Sequence, residues 1–291
     1  MEIIKKIRGS GGDICEDTIA SYEKNGQLFL AVFDGRRAWR ENGDAAGIIR
    51  DYGQGTTGAA LAKLCADMFI KGMGLLAING EIGRILRQYG YDLSKPEGLP
   101  GCAATTAMVD PKAGQISFSH VCDTKLILFR PGSDLRWETE TQSLDPEVLA
   151  LTVTNAAALR TSPRQALWET DYCGSALTDP KKLDMLYRGR ENISHGLGVL
   201  NGMPAMIDFL QSGEIATAPY SHLLLATDGL ALPSLPNEDS WRATVRYLSA
   251  HELKLRSLLR QVRERQDSDP DFIRYPRFAA RTDASGILVK L

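Results

Sequence analysis

The chain has 291 residues, of which 43% are hydrophobic and 24% charged, and its formal net charge is −2. This is the composition of a globular protein long enough to build a core of native density, and it excludes a disordered chain. Lys and Arg are dispersed rather than blocked and no apolar run reaches membrane-spanning length, so neither nucleic acid nor a membrane is expected as a partner.

In chain order, the first strong strand is expected over 27–33. It is apolar, ends in Asp34-Gly35, and follows the turn Lys24-Asn25-Gly26, which makes 18–22 its hairpin partner. Apolar residues then recur at helical spacing over 56–70 and again over 78–91, the first helix closing at Gly72 and Gly74. Short apolar or alternating runs over 103–109, 116–121 and 125–129, separated by turn residues, read as a β-meander. The stretch 145–190 is ambiguous, with helical pieces around Pro146 and Ser162. Strands are expected again over 206–210 and 222–227, helices over 239–249 and 251–265, and a final strand over 286–291. Strands at both ends with helices between them predict an α+β sandwich, one domain over 1–291.

The cysteines (Cys15, Cys65, Cys102, Cys122, Cys173) are odd in number and form no CxxC pair, and the histidines (His120, His195, His222, His251) show no HxxxH spacing. A disulfide framework and a zinc site are therefore not expected, and a reducing, cytoplasmic compartment is. The N-terminal stretch is too short and too charged for a signal-peptide core.

The informative feature is a set of carboxylates at strand ends. The run 28–33 leads into Asp34-Gly35, 223–227 into Asp228-Gly229, and 118–122 into Asp123; Asp283 shortly precedes the last strand, and Glu16-Asp17 precede the first hairpin. An Asp-Gly pair alone is more often a turn than a ligand. Several carboxylates gathered at one end of a sandwich would repel one another unless a cation neutralised them. A set of hard oxygen donors without His or Cys selects Mg²⁺ or Mn²⁺.

Taken in order, these segments resemble the type 2C, metal-dependent serine/threonine phosphatases. The resemblance rests on Cys15-Glu16-Asp17, Ala31-Val32-Phe33-Asp34-Gly35, Gly101-Cys102-Ala103-Ala104-Thr105, Cys122-Asp123-Thr124-Lys125, Ala226-Thr227-Asp228-Gly229-Leu230 and Asp283-Ala284-Ser285-Gly286. It implies a four-layer α-β-β-α sandwich, its two central, mostly antiparallel sheets flanked by helices, with two Mn²⁺ or Mg²⁺ ions at one end. It also implies a phosphorylated protein as substrate. Carried over residue by residue, Asp34 bridges both ions, Glu16 and the carbonyl of Gly35 serve one, Asp228 and Asp283 serve the other, and Asp17 holds metal-bound water. Asp34, Asp228 and Asp17 are thus the expected catalytic set, acting through a metal-activated water; Cys15 and Cys122 are expected to pack rather than react.

The chain departs from that family in three places. Arg36-Arg37-Ala38 stands where many members have His-Gly-Gly. Gly12 stands where a phosphate-gripping Arg is usual, leaving Arg8 and Arg36 as the candidates for phosphate binding. Leu232 replaces an acid of a third-metal site, of which Asp123 is the remnant. These losses keep a second class of function open, an inactive pseudophosphatase serving as a regulatory binding module. The Gly53-Gln54-Gly55-Thr56-Thr57-Gly58 run matches a dinucleotide-binding GxGxxG. No strand leads directly into it, however, so it reads better as a helix start capped by Thr56 or Thr57.

Overall fold

The computed structural model describes residues 2–9, 14–38, 42–53, 55–143, 145–169, 191–192, 196–235, 238–277 and 279–291. Trp39, Arg40, Cys173 and His195 lie outside them.

Two five-stranded sheets form the centre. The first runs in the order β1 (Glu2–Gly9), β10 (Ala284–Lys290), β9 (His222–Ala226), β6 (Lys125–Phe129) and β7 (Arg136–Glu138). The second runs β2 (Asp17–Lys24), β3 (Gln27–Arg36), β4 (Gly101–Asp110), β5 (Gln115–Val121) and β8 (Gln211–Ala216). Every pairing within the two sheets is antiparallel. Helices α2 (Thr57–Ile70) and α3 (Leu75–Gln88) cover the outer face of the second sheet, with α1 (Ala45–Tyr52) beside α2. Helices α6 (Ser240–Ala250) and α7 (Leu255–Asp267) cover the outer face of the first. Between these groups in the chain, α4 (Asp145–Leu159) packs on α5 (Pro163–Glu169). The molecule is therefore the α-β-β-α sandwich expected.

Side-chain parity explains the layering. Along β3, Leu28, Leu30 and Val32 face the other sheet, while Ala31 and Phe33 face α2 and α3. Along β9, Leu223 and Leu225 face inward, while Leu224 and Ala226 face α6 and α7. Both faces are buried, so these strands read as unbroken apolar runs instead of alternating ones. Each fully buried Leu, Ile or Phe contributes about 1.5–3 kcal/mol of transfer free energy, which fixes the register, because a slip of one residue would exchange the two faces.

That parity also places the acids. Continuing the inward row of β3 past Val32 gives Asp34, and Asp17 lies directly opposite Asp34 in the β2–β3 ladder. Counting back along the inward row of β10 from Val289 and Ile287 gives Ser285 and then Asp283, one residue before the strand. The apolar layer between the sheets thus ends in carboxylates at one rim.

Several expectations need correction. Residues 206–210 are not a strand: Pro204–Phe209 is a 3₁₀ turn, and the strand follows at Gln211–Ala216. Pro204 opens the turn, and its lack of an N–H excludes it from a ladder. The last long helix begins at Leu255 instead of 251, after a turn in which Glu252 and Leu253 hold positive φ. Strands β1, β7 and β8 and helix α1 were not foreseen.

Candidate active site

The rim carboxylates surround one cavity of ≈ 260 Å³, lined by Glu16, Asp34, Asp123, Asp228 and Asp283 together with Arg36. Each reaches it by a different local device. Asp34 and Gly35 are still in β3, and Gly35 N–H donates to the carbonyl of Glu16 at 3.2 Å, holding the start of the hairpin against the end of β3. A Cβ on Gly35 would lie 2.2 Å from the carbonyl oxygen of Gly58, so glycine is what lets the start of α2 pack on this strand end. Asp228 opens a 3₁₀ turn directly after β9. A Cβ on Gly229 would lie 1.7 Å from the carbonyl oxygen of Asp283, so the second Asp-Gly pair brings two acid-bearing backbones together. Asp123 sits in the β5–β6 turn, after Cys122 in the left-handed region at φ 73°.

Hydrogen bonds join the two sheets at this rim. The Thr227 hydroxyl donates to Asp17 Oδ2 at 2.7 Å, and the Ser285 N–H donates to Thr227 Oγ1 at 2.9 Å, so β9, β10 and β2 meet through one side chain. The backbone N–H of Glu16 donates to Asp283 Oδ2 at 2.5 Å. Glu16 itself accepts from the Thr56 hydroxyl and pairs with Arg37 at 3.3 Å. Thr56 is also the N-cap of α2, accepting from the Ala59 N–H at 3.1 Å. The Gly53–Gly58 run is therefore a helix start, capped as expected by Thr56, and it sits against the site.

Electrostatically the cavity is unbalanced. Burial holds the Asp34 carboxyl well above the usual carboxylate range, and Asp17, Asp228 and Asp123 raise it further, while Arg36 opposes them. Burial opposes the charge of Arg36, but the Glu191 carboxylate, with Cys122, Asp123 and Asp34, outweighs it and keeps the guanidinium protonated. The Cys122 thiol is buried, and burial followed by Asp123 pushes it well above its ordinary value, so no thiolate nucleophile forms there. Among the described residues, no three His, Cys, Asp or Glu side chains are grouped closely enough to hold a metal ion as they stand.

Of the two phosphate-binding candidates, Arg36 lines the cavity. Arg8 is in register with Ser285, which places its backbone beside the rim. Leu232 is buried among α6 and α7 and contributes nothing to the cavity. Reading the sequence missed three contributors: Thr56, Thr227 and Glu191. The first carried a helix-capping signal; Thr227 stands next to Asp228, but its bond to Asp17, like that of Glu191 to Arg36, joins distant parts of the chain.

Neither a protein-family model nor a curated protein matches the sequence. Solved structures do. A bacterial serine phosphatase superposes with a TM-score of 0.55 at 11% identity, over 99% of this chain and 98% of that one. The serine/threonine phosphatase Stp1 from Staphylococcus aureus gives 0.54 at 11% identity, over 100% and 96%. The S. agalactiae serine/threonine phosphatase gives 0.53 at 12% identity, over 98% of each chain. The chain has the fold of the bacterial serine/threonine phosphatases. Coverage is nearly complete in both directions, so the likeness extends to the whole sandwich.

Proposed function

We propose that the protein is a metal-dependent phosphatase that hydrolyses phosphoserine or phosphothreonine in protein substrates. The observation that carries this reading is the assembly of Glu16, Asp34, Asp123, Asp228 and Asp283 around one cavity, with Asp17 paired beside Asp34. The donor set is made of oxygens, the chemistry of Mg²⁺ and Mn²⁺ sites. Burial first, and then the neighbouring acids Asp17, Asp228 and Asp123, raise the Asp34 carboxyl, and a divalent cation would oppose both. A cation is also what would draw in carboxylates that repel one another, and in this respect the residues fit the group.

Asp34, Glu16 and the Gly35 carbonyl, on one sheet, and Asp228 and Asp283, on the other, would hold two divalent ions. Such ions supply a water acidic enough to be nucleophilic at neutral pH, together with charge to neutralise the phosphoryl oxygens. The protein's own part is positional. Thr56 and Arg37 orient Glu16, the Glu16 N–H orients Asp283, and Thr227 orients Asp17. Arg36 offers a planar cationic fork to the phosphoryl oxygens at the cavity edge. Asp17 is fully buried beside Asp34, where it would hold water carried by the ions. An inactive binding module is not favoured, because a site without a use for cations has no reason to keep like charges together.

The test is hydrolysis of a phosphoserine peptide with Mn²⁺, with Mg²⁺ and with chelator. Asp34→Asn and Asp228→Asn should each lower the rate by about a thousandfold or more, equivalent to about 4 kcal/mol of barrier. Turnover that survived both substitutions would contradict the reading.

A further inference from the structure

Arg36 is tied to a carboxylate that belongs to no strand or helix. Its Nη2 lies 2.7 Å from Glu191 Oε1, and the Glu191 side chain is 0% exposed where that of Arg36 is 25% exposed. Glu191 is held in turn. Its Oε2 accepts from Asn201 Nδ2 at 3.2 Å, and Asn201 Oδ1 accepts from Asn192 Nδ2 at 2.7 Å. Asn192 grips the backbone of Val199 from both sides, accepting from its N–H at 2.9 Å and donating to its carbonyl at 2.8 Å. Leu200 exchanges two backbone hydrogen bonds with Cys102 of β4, at 3.0 and 3.1 Å, which fastens the segment to the sheet that carries Asp34.

A buried ion pair of this kind is weak as a source of stability. Desolvating both charges costs about as much as their attraction returns, and apolar residues of like volume commonly do as well. Its physical use is registration. Asp34 and Asp123 flank Arg36 in the same cavity and both attract its charge. Without a competing anion the guanidinium would settle on those carboxylates, neutralising the acids and spending its own donors. Glu191 binds one amino group from outside the cavity, and a guanidinium has five N–H donors in a rigid fork, so the others remain for a bound oxyanion.

We infer that Glu191 is a positioning residue that holds Arg36 at the cavity edge, off the site carboxylates, for contact with a phosphoryl group. This rests on the phosphatase reading for its substrate, and on the Arg36–Glu191–Asn201 chain for its geometry.

The experiment measures Mn²⁺-dependent hydrolysis of an aryl phosphate, competitive inhibition by inorganic phosphate, and calorimetric titration of inorganic phosphate, all on the full chain. Glu191→Gln should raise KM and weaken phosphate binding by about tenfold, with kcat changed by no more than about threefold and Mn²⁺ affinity retained; Glu191→Asp should recover part of the loss. A merely structural role would lower thermal stability and leave the phosphate constants alone. Unchanged phosphate constants in Glu191→Gln would overturn the inference while leaving the phosphatase reading intact. Should Glu191→Gln fail to fold, Arg36→Gln decides: unaltered phosphate binding there overturns the inference as well. A wild type that lacks Mn²⁺-dependent hydrolysis would contradict the phosphatase reading instead. The phosphate titration then decides the role of Glu191, with loss in Arg36→Gln and weakening in Glu191→Gln supporting it and any other pattern overturning it.

Discussion

The layer between the sheets carries two polar assemblies. In the first, His120 of β5 faces Thr105 of β4 directly across the ladder, with Thr124 beside them, all three fully buried. His120 Nε2 is 2.8 Å from the Glu140 carbonyl and must donate to it. Nδ1 therefore accepts from the Thr105 hydroxyl at 2.8 Å, and Thr105 accepts from Thr124 at 2.7 Å. Every member is neutral and both ring nitrogens of the histidine are satisfied. The second assembly, at the rim, sets Asp17 opposite Asp34 with Asp228 and Asp123 nearby, so that like charges add to burial in raising the Asp34 carboxyl. The same layer, bounded by the same strands, thus holds a closed hydrogen-bond chain and a surplus of negative charge. Satisfied polar groups in a core are part of its architecture. Like charges kept together oppose one another's ionisation, and that contrast separates the scaffold from the proposed site.

Acid should break the first assembly. Burial pushes the His120 imidazole down to about 4, with the hydrogen bond to the Glu140 carbonyl opposing and Lys125 adding to the fall. A free histidine titrates near 6.5. With the folded value below the unfolded one, the unfolded chain takes up the proton first. The stabilising contribution is therefore intact above about pH 6.5 and is lost as pH falls towards 4, by at most about 3 kcal/mol. Denaturant midpoints of wild type and His120→Gln, compared from pH 7 to pH 4, should converge over that window. Parallel curves would show that His120 takes up its proton at the same pH in the folded protein as in the unfolded chain.

The second assembly should respond with the opposite sign. Asp34→Asn removes a buried charge from among like charges, and should stabilise the metal-free protein by about 1 kcal/mol, roughly 2 °C in a domain of this size. A loss of stability of that magnitude would mean that the rim carboxylates are already compensated by the chain itself, and the contrast between the two assemblies would fall.

What the sequence disclosed follows from these physical differences. Strands buried on both faces, such as β3 and β9, announce themselves as continuous apolar runs. Strand β1, with the sequence Glu-Ile-Ile-Lys-Lys-Ile-Arg-Gly, and β8, with Gln-Ser-Gly-Glu-Ile-Ala, lie at sheet edges, where charge and polarity are tolerated. They carried no such signal. Residues 206–210 were apolar enough to pass for a strand, and Pro204 was the overlooked sign that they turn instead. At the rim, the acids were legible because Asp34, Asp123 and Asp228 stand at the ends of apolar strands and Glu16, Asp17 and Asp283 at the starts of others. Thr227 and Glu191 were not, since their roles depend on partners 210 and 155 positions away, Asp17 and Arg36, and pairings over such distances leave no local pattern.

The most direct test of the rim as a cation site is calorimetric titration of Mn²⁺ into the metal-free protein, with Asp34→Asn alongside. The arrangement of carboxylates predicts two-site binding by the wild type that collapses in the variant. Absence of Mn²⁺ binding by a folded wild type, or equal binding by Asp34→Asn, would contradict it.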